Sequence, residues 1–124
     1  MICLRDLLRK TENYAKRLSF ADDVVKAPYV DDVTGAVTAL RDACCHIDSF
    51  KQQFDDGRAR GALNVIHGAG TLLKYNDLTL GSDYQDDIAF LYGTNRLYFH
   101  HHIVRDFNEG QTLLKPLLKM PWDE

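Results

Sequence analysis

No stretch of this chain approaches the roughly 18 uninterrupted apolar residues that a transmembrane helix needs. The opening MICLRDLLRKTENYAKRL interleaves apolar with charged residues, so the continuous apolar core of a signal peptide is missing as well. Cysteine is scarce and odd in number: Cys3, Cys44 and Cys45, two of them adjacent, offer no disulfide framework and fit a reduced, cytoplasmic setting. Positive charge is not in excess. With 15 Lys and Arg against 18 Asp and Glu, a net charge of −3 gives no electrostatic reason to expect nucleic acid or an anionic membrane as partner. Glycine-rich phosphate loops, HExxH and GxSxG are all absent. No cofactor, metal or enzymatic activity is expected on these grounds.

What the chain does have is helical spacing. Its 124 residues with 45% hydrophobic content form one domain large enough to bury a core unaided. Residues 1–30 read as a leader in which Ile2, Leu4, Leu7 and Leu8 line one face of a short helix, with a boundary at Ala27 before Pro28. Asp31 and Asp32 then cap a helix. Val33, Ala36, Val37, Leu40, Ala43, Cys44, Ile47, Phe50 and Phe54 follow at spacings of three and four, up to a stop at Asp55-Asp56-Gly57. A second helix is expected over residues 58–75, with Gly68 and Gly70 inside it as sites of close helix packing. A third is expected over 83–104, capped at Ser82, and a fourth from about Phe107, capped at Asp106 and kinked or shortened by Pro116. No alternating run is long enough to predict a strand. The expected fold is all-α: an antiparallel up-down four-helix bundle over residues 31–124, preceded by the short N-terminal helix or extended leader.

Candidate chemistry reduces to few residues. His100, His101 and His102 are adjacent, and successive helical side chains point about 100° apart, so they do not converge on one metal from a regular helix. Arg96 and His101 match the Arg-x4-His pattern of HEPN-type helical ribonucleases, which makes a ribonuclease toxin the rival reading. On a straight helix, however, the two side chains stand about 140° apart, and Leu97 replaces the polar residue of that family. Cys44 and Cys45 read as buried packing residues. The carboxylate pairs Asp31/Asp32, Asp55/Asp56 and Asp86/Asp87 fall at helix ends, where capping explains them.

From Asp42 onward the chain resembles the flagellin-export chaperone family (FliS-type). The resemblance lies in Asp42-Ala43 within the first long helix, Gly57 before a helix at Ala62-Leu63, Leu72 with Asn76-Asp77-Leu78, Gly81, Ile88 to Leu91-Tyr92, Arg105-Asp106, and the closing Trp122-Asp123-Glu124. Departures include Ala43 where the family usually has glycine, Arg41 where it has tyrosine, and Pro116 in the last helix. The resemblance implies a non-enzymatic chaperone that binds the C-terminal segment of flagellin and prevents its premature polymerisation, with export-apparatus components as further partners. Client helices would lie in apolar grooves lined by Leu40, Cys44, Ile47, Ile66, Ala69, Leu73, Ile88, Leu91 and Tyr92. Ile2, Leu4, Leu7 and Leu8 would form a displaceable lid. A helical adaptor or immunity protein that masks a partner's surface is a further reading of the same features.

Overall fold

Asp32 caps a helix as its position predicts, accepting the backbone N–H of Gly35 at 2.8 Å and thereby satisfying one of the free donors of the first turn. A computed structural model of the protein describes residues 2–27, 30–45, 53–54, 59–60, 63–75, 78–92 and 95–118. Its helices are α1 (Ile2–Tyr14), α2 (Val33–Cys45) and α3 (Arg105–Leu114). Between α2 and α3 the chain forms strands: β1 (Gln53–Phe54), β2 (Ala59–Arg60), β3 (Asn64–His67), β4 (Gly70–Tyr75), β5 (Leu78–Ser82), β6 (Ile88–Tyr92) and β7 (Asn95–Tyr98). The fold is α+β, and the all-α four-helix bundle is overturned.

The reasons are local. Residues 88–92, Ile-Ala-Phe-Leu-Tyr, are aromatic and branched enough for a strand, and their burial alternates with period two: Ala89 and Leu91 are buried while Ile88, Phe90 and Tyr92 are half-buried. That is the pleat of a sheet with both faces covered. The central strand β6 pairs antiparallel with β3 on one side (Val65 opposite Phe90) and β7 on the other (Phe90 opposite Leu97). The expected helix over 58–75 is interrupted where Gly68 adopts φ +89°, a conformation that favours glycine. Beyond that turn, β4 pairs with β5 in a hairpin. Gly81 belongs to β5 and not to a turn: a Cβ there would stand 2.4 Å from the carbonyl oxygen of Gly70, so the side chain is absent because the β4 backbone occupies its place.

The two faces of the sheet carry two cores. Leu97, with Phe90 and Tyr92, packs under Val33, Ala36, Val37 and Leu40 of α2 and Leu8 of α1. On the opposite face Ala89, Leu91 and Tyr98 pack against Leu80 of β5, with Ile66 and Tyr84 at the margin. Truncating a fully buried leucine such as Leu97 costs about 2–5 kcal/mol.

The leader is part of this body. Leu8 is buried among α2 side chains, Leu4 packs beside it and Leu7 is half-buried, while Ile2 is exposed. α1 also crosses α3 closely: a Cβ on Gly110 would lie 3.3 Å from Thr11 Oγ1 and 3.4 Å from Leu7. Between β7 and α3 the chain makes a π-helical stretch, Phe99–Val104. The helix that follows therefore starts before Asp106, which lies inside α3 and caps nothing. Pro116 sits in a closing 3-10 turn, Lys115–Leu117, and ends the helix as expected from its missing N–H. Cys44 and Cys45 are exposed, not buried. Ile47 and Phe50 lie outside the described residues. Among the described residues, no helix is long and apolar enough to cross a membrane.

Candidate functional site

One cluster of polar residues forms at the end of the sheet, where the loop after α1 meets the π-helical stretch. Asp87, in the turn before β6, is the centre of this cluster. Its carboxylate accepts the backbone N–H groups of Ile88 (2.7 Å), His100 (2.8 Å) and His101 (3.0 Å), and the ring nitrogen Nδ1 of His101. Burial alone would push the Asp87 carboxyl up. The donors from His100, His101 and Ile88 more than offset that and hold it at about 2, because hydrogen bonds to the charged form favour it. Asp87 is thus an ionised carboxylate with almost no solvent exposure.

An ionised acceptor on Nδ1 sets the tautomer of His101. Nδ1 carries a proton and donates a hydrogen bond to Asp87, so the tautomer of the neutral ring is the one with its lone pair on Nε2. The imidazole is stacked on Tyr84 with ring centroids 3.8 Å apart and meets the Tyr98 ring edge-on at 5.9 Å. Its side chain keeps 37% of its exposure. Tyr84 in turn hydrogen-bonds Asp23, which pushes the phenol up to about 12, with burial adding to the shift.

His102 has the opposite arrangement. It is fully buried, its Nδ1 accepts the Tyr98 backbone N–H at 3.0 Å, and its Nε2 donates to the Asp22 carbonyl oxygen at 2.8 Å. Burial lowers its pKa, against the pull of the Asp22 carbonyl, so it stands as a neutral brace. The Asp22–Asp23 turn, with Asp23 at φ 60°, is held from three further points. Arg96 donates to the Asp23 carbonyl at 3.0 Å and to that of Gly81 at 3.1 Å, Arg105 pairs with the Asp22 carboxylate at 2.8 Å, and Tyr84 reaches the Asp23 carboxylate.

Arg96 and His101 share no helix; what they share is the Tyr98 ring, which each borders. Arg96 lies on β7 with its guanidinium 4.8 Å from the Tyr98 ring centroid, and the same ring borders His101. The angle expected for a straight helix fails because a strand and a π-helical stretch separate the two. Arg96 is 14% exposed and also pairs with Asp83 at 3.8 Å, and its Nη1 and Nη2 donate to the Gly81 and Asp23 carbonyls, so it positions the loop. The all-helical scaffold of the HEPN-type ribonuclease reading is absent.

The expected groove residues are divided between the two cores. Leu40 is in the helical core, and Tyr92 packs against it from the sheet. Leu91 and Ile66 belong to the core on the other face. Ile88 is half-buried, Ala69 is an exposed turn residue, and Leu73 takes the register position opposite Leu80 in the hairpin. Cys44 is exposed and Ile47 lies outside the described residues. Among the described side chains, those of these positions that pack in a core fall in two separate clusters. No set of three or more His, Cys, Asp or Glu able to hold a metal occurs among the described residues.

Comparison with protein-family models, with curated proteins and with solved structures finds no match.

Proposed function

We propose that the protein is an acid–base enzyme in which His101 is the proton-transfer group and Asp87 holds its tautomer. The observation that supports this is a buried, ionised Asp87 on Nδ1 of an imidazole whose Nε2 takes no hydrogen-bond partner among the described residues. Such a pair removes a proton at Nε2 while the carboxylate stabilises the resulting imidazolium. The ring's neighbours are Tyr84, Tyr98 and Asp87, none of them a reactive nucleophile, so water is the attacking group. Nε2 takes a proton from water as its oxygen bonds to a carbonyl carbon. The same proton then passes to the departing alkoxide as the carbon–oxygen bond breaks. Exposed Asp22 and Asp83 at the rim favour neutral or cationic esters over phosphates.

The test is hydrolysis of neutral and cationic chromogenic esters between pH 5 and pH 9 by the wild type, His101→Ala and Asp87→Asn. Both variants should lose about a hundredfold or more in kcat/KM, with His101→Ala retaining its melting temperature. Equal rates for wild type and His101→Ala on every ester would end this reading.

A binding role is the second reading, favoured by Leu63 and Val65, 52% and 57% exposed at and beside β3, which lies at one side of its sheet. The flagellin-chaperone expectation loses the inter-helix grooves it relied on and reduces to this patch. Co-purification from the native host, with flagellin in the complex, would restore it.

A further inference from the structure

A second site lies apart from His101, between the segment after α1 and the outer face of α3. It is a cleft of about 410 Å³, within the range that takes small organic ligands. Leu18, Phe20 and Leu113 supply apolar walls, while Lys16, Arg17, Arg105 and Glu109 bring charged groups to it.

The cations are not equivalent. Arg17 is committed: its Nε and Nη2 donate to Asp32 at 2.8 and 3.0 Å, and Nη1 donates to Glu12 at 3.0 Å. Arg105 is held in place but left partly unused. Its guanidinium carbon lies 3.6 Å from the Phe20 ring centroid, Nη1 donates to Asp22 at 2.8 Å, and Nε donates to Glu109 at 3.3 Å. Nη2 has no partner among the described residues, and Lys16 has no ion pair among them. A guanidinium fixed by two carboxylates and an aromatic face is a preorganised anion receptor, because the entropy of ordering its long side chain is already lost before binding.

We infer that this cleft binds a small organic anion, a carboxylate or phosphate monoester on a flat apolar body. The anionic head lies between Arg105 and Lys16, and the body lies along the apolar wall that includes Phe20 and Leu113. The inference does not rest on the His101 reading, since none of the cleft residues touches the imidazole.

Calorimetric titration of the full chain with benzoate, phenyl phosphate, inorganic phosphate and benzylammonium tests it. Benzoate or phenyl phosphate should bind saturably with a dissociation constant below about 1 mM, and whichever is tighter identifies the head group. Inorganic phosphate, lacking the body, should bind at least tenfold more weakly, and benzylammonium not at all. Lys16→Glu, on an exposed position, and Arg105→Lys, which keeps charge but loses the fork, should each weaken binding at least fivefold, with thermal melts confirming that both variants fold. Three results would overturn the inference: no saturable binding of either aromatic anion, benzylammonium binding as tightly as benzoate, or unchanged affinity in both folded variants.

Discussion

His102 and Asp22, 80 residues apart, share a 2.8 Å hydrogen bond from the imidazole Nε2 to the backbone carbonyl. It ties the loop after α1 to the π-helical stretch before α3, across the end of the sheet. His102→Ala removes this donor and the acceptor of the Tyr98 N–H together, leaving the buried Tyr98 N–H and the Asp22 carbonyl without these partners. The expected loss is about 2–4 kcal/mol of stability, read from the shift of the urea midpoint. A loss below about 0.5 kcal/mol would mean that Arg96, Arg105 and Tyr84 suffice to hold the loop.

Asp106 makes stability depend on pH in an unusual direction. It is fully buried in α3, and neither carboxylate oxygen has a hydrogen-bond partner among the described residues. Burial raises it to about 7; Glu109 adds to the shift, Arg105 opposes it, and Asp32 contributes from the start of α2. Between about pH 4 and pH 7 the folded chain holds a proton that the unfolded chain has released. The native state binds more protons there, so stability falls as pH rises through that window and is level above it. His102 acts in the other direction, since its lowered pKa removes stability as pH falls below about 6.5. Asp106→Asn should therefore stabilise the protein at pH 8 by on the order of 2–4 kcal/mol and leave only the acid-side loss. Urea midpoints measured from pH 4 to pH 8 for both proteins separate the two effects.

The helices were legible where spacing and punctuation agree. Val33 to Leu40 recur at three and four behind the Asp32 cap, and Pro116 stops α3. The strands were not. Ile88 to Tyr92 is a five-residue apolar run that satisfies both periods, and length and context must decide such runs. The glycines at 68 and 70 carried the missing information, but they also fit a close helix crossing. Misreading those strands hid the site. Asp87 and His101 are 14 residues apart, and only the β6–β7 pairing returns the chain so that a carboxylate before β6 meets a helix beginning after β7. A capping carboxylate and three consecutive histidines were each visible. Their contact was not.

Gly81 tests the hairpin register. An added Cβ would stand 2.4 Å from the Gly70 carbonyl oxygen and 3.0 Å from Thr71 Cα, both backbone atoms that no rotamer change can move aside. Gly81→Ala should cost about 1–3 kcal/mol, seen as a lower melting temperature with helical circular dichroism retained below the transition. A neutral result would show that β5 pairs with β4 in a different register.

α1 is expected to be structural and not a lid. Leu8 and Thr11 are buried, at 2% and 0% exposure, and Gly110 of α3 is small because α1 lies against it. Removing residues 2–14 exposes the helical core and the face of α3 that holds Asp106. The truncated chain should lose its cooperative thermal transition, a result that scanning calorimetry distinguishes from simple loss of a disordered tail. A displaceable lid would instead leave the transition within a few degrees of the parent.

Chemical modification separates the histidines by the state of Nε2. In His101 that nitrogen has no hydrogen-bond partner among the described residues, because Asp87 pairs with Nδ1, and the side chain keeps 37% of its exposure. In His102 the same nitrogen is protonated, bonded to Asp22 and buried. Diethyl pyrocarbonate attacks an unprotonated, accessible ring nitrogen, so peptide mapping by mass spectrometry should find His101 modified and His102 untouched in the native protein. Asp87→Asn replaces the ionised acceptor with an amide that no longer fixes the Nδ1 proton. Both tautomers of His101 then exchange, and its modification rate should fall about twofold or more. If hydrolytic activity and His101 modification decay with the same rate constant, the imidazole is the proton-transfer group; if activity survives full modification of His101, another residue carries the chemistry.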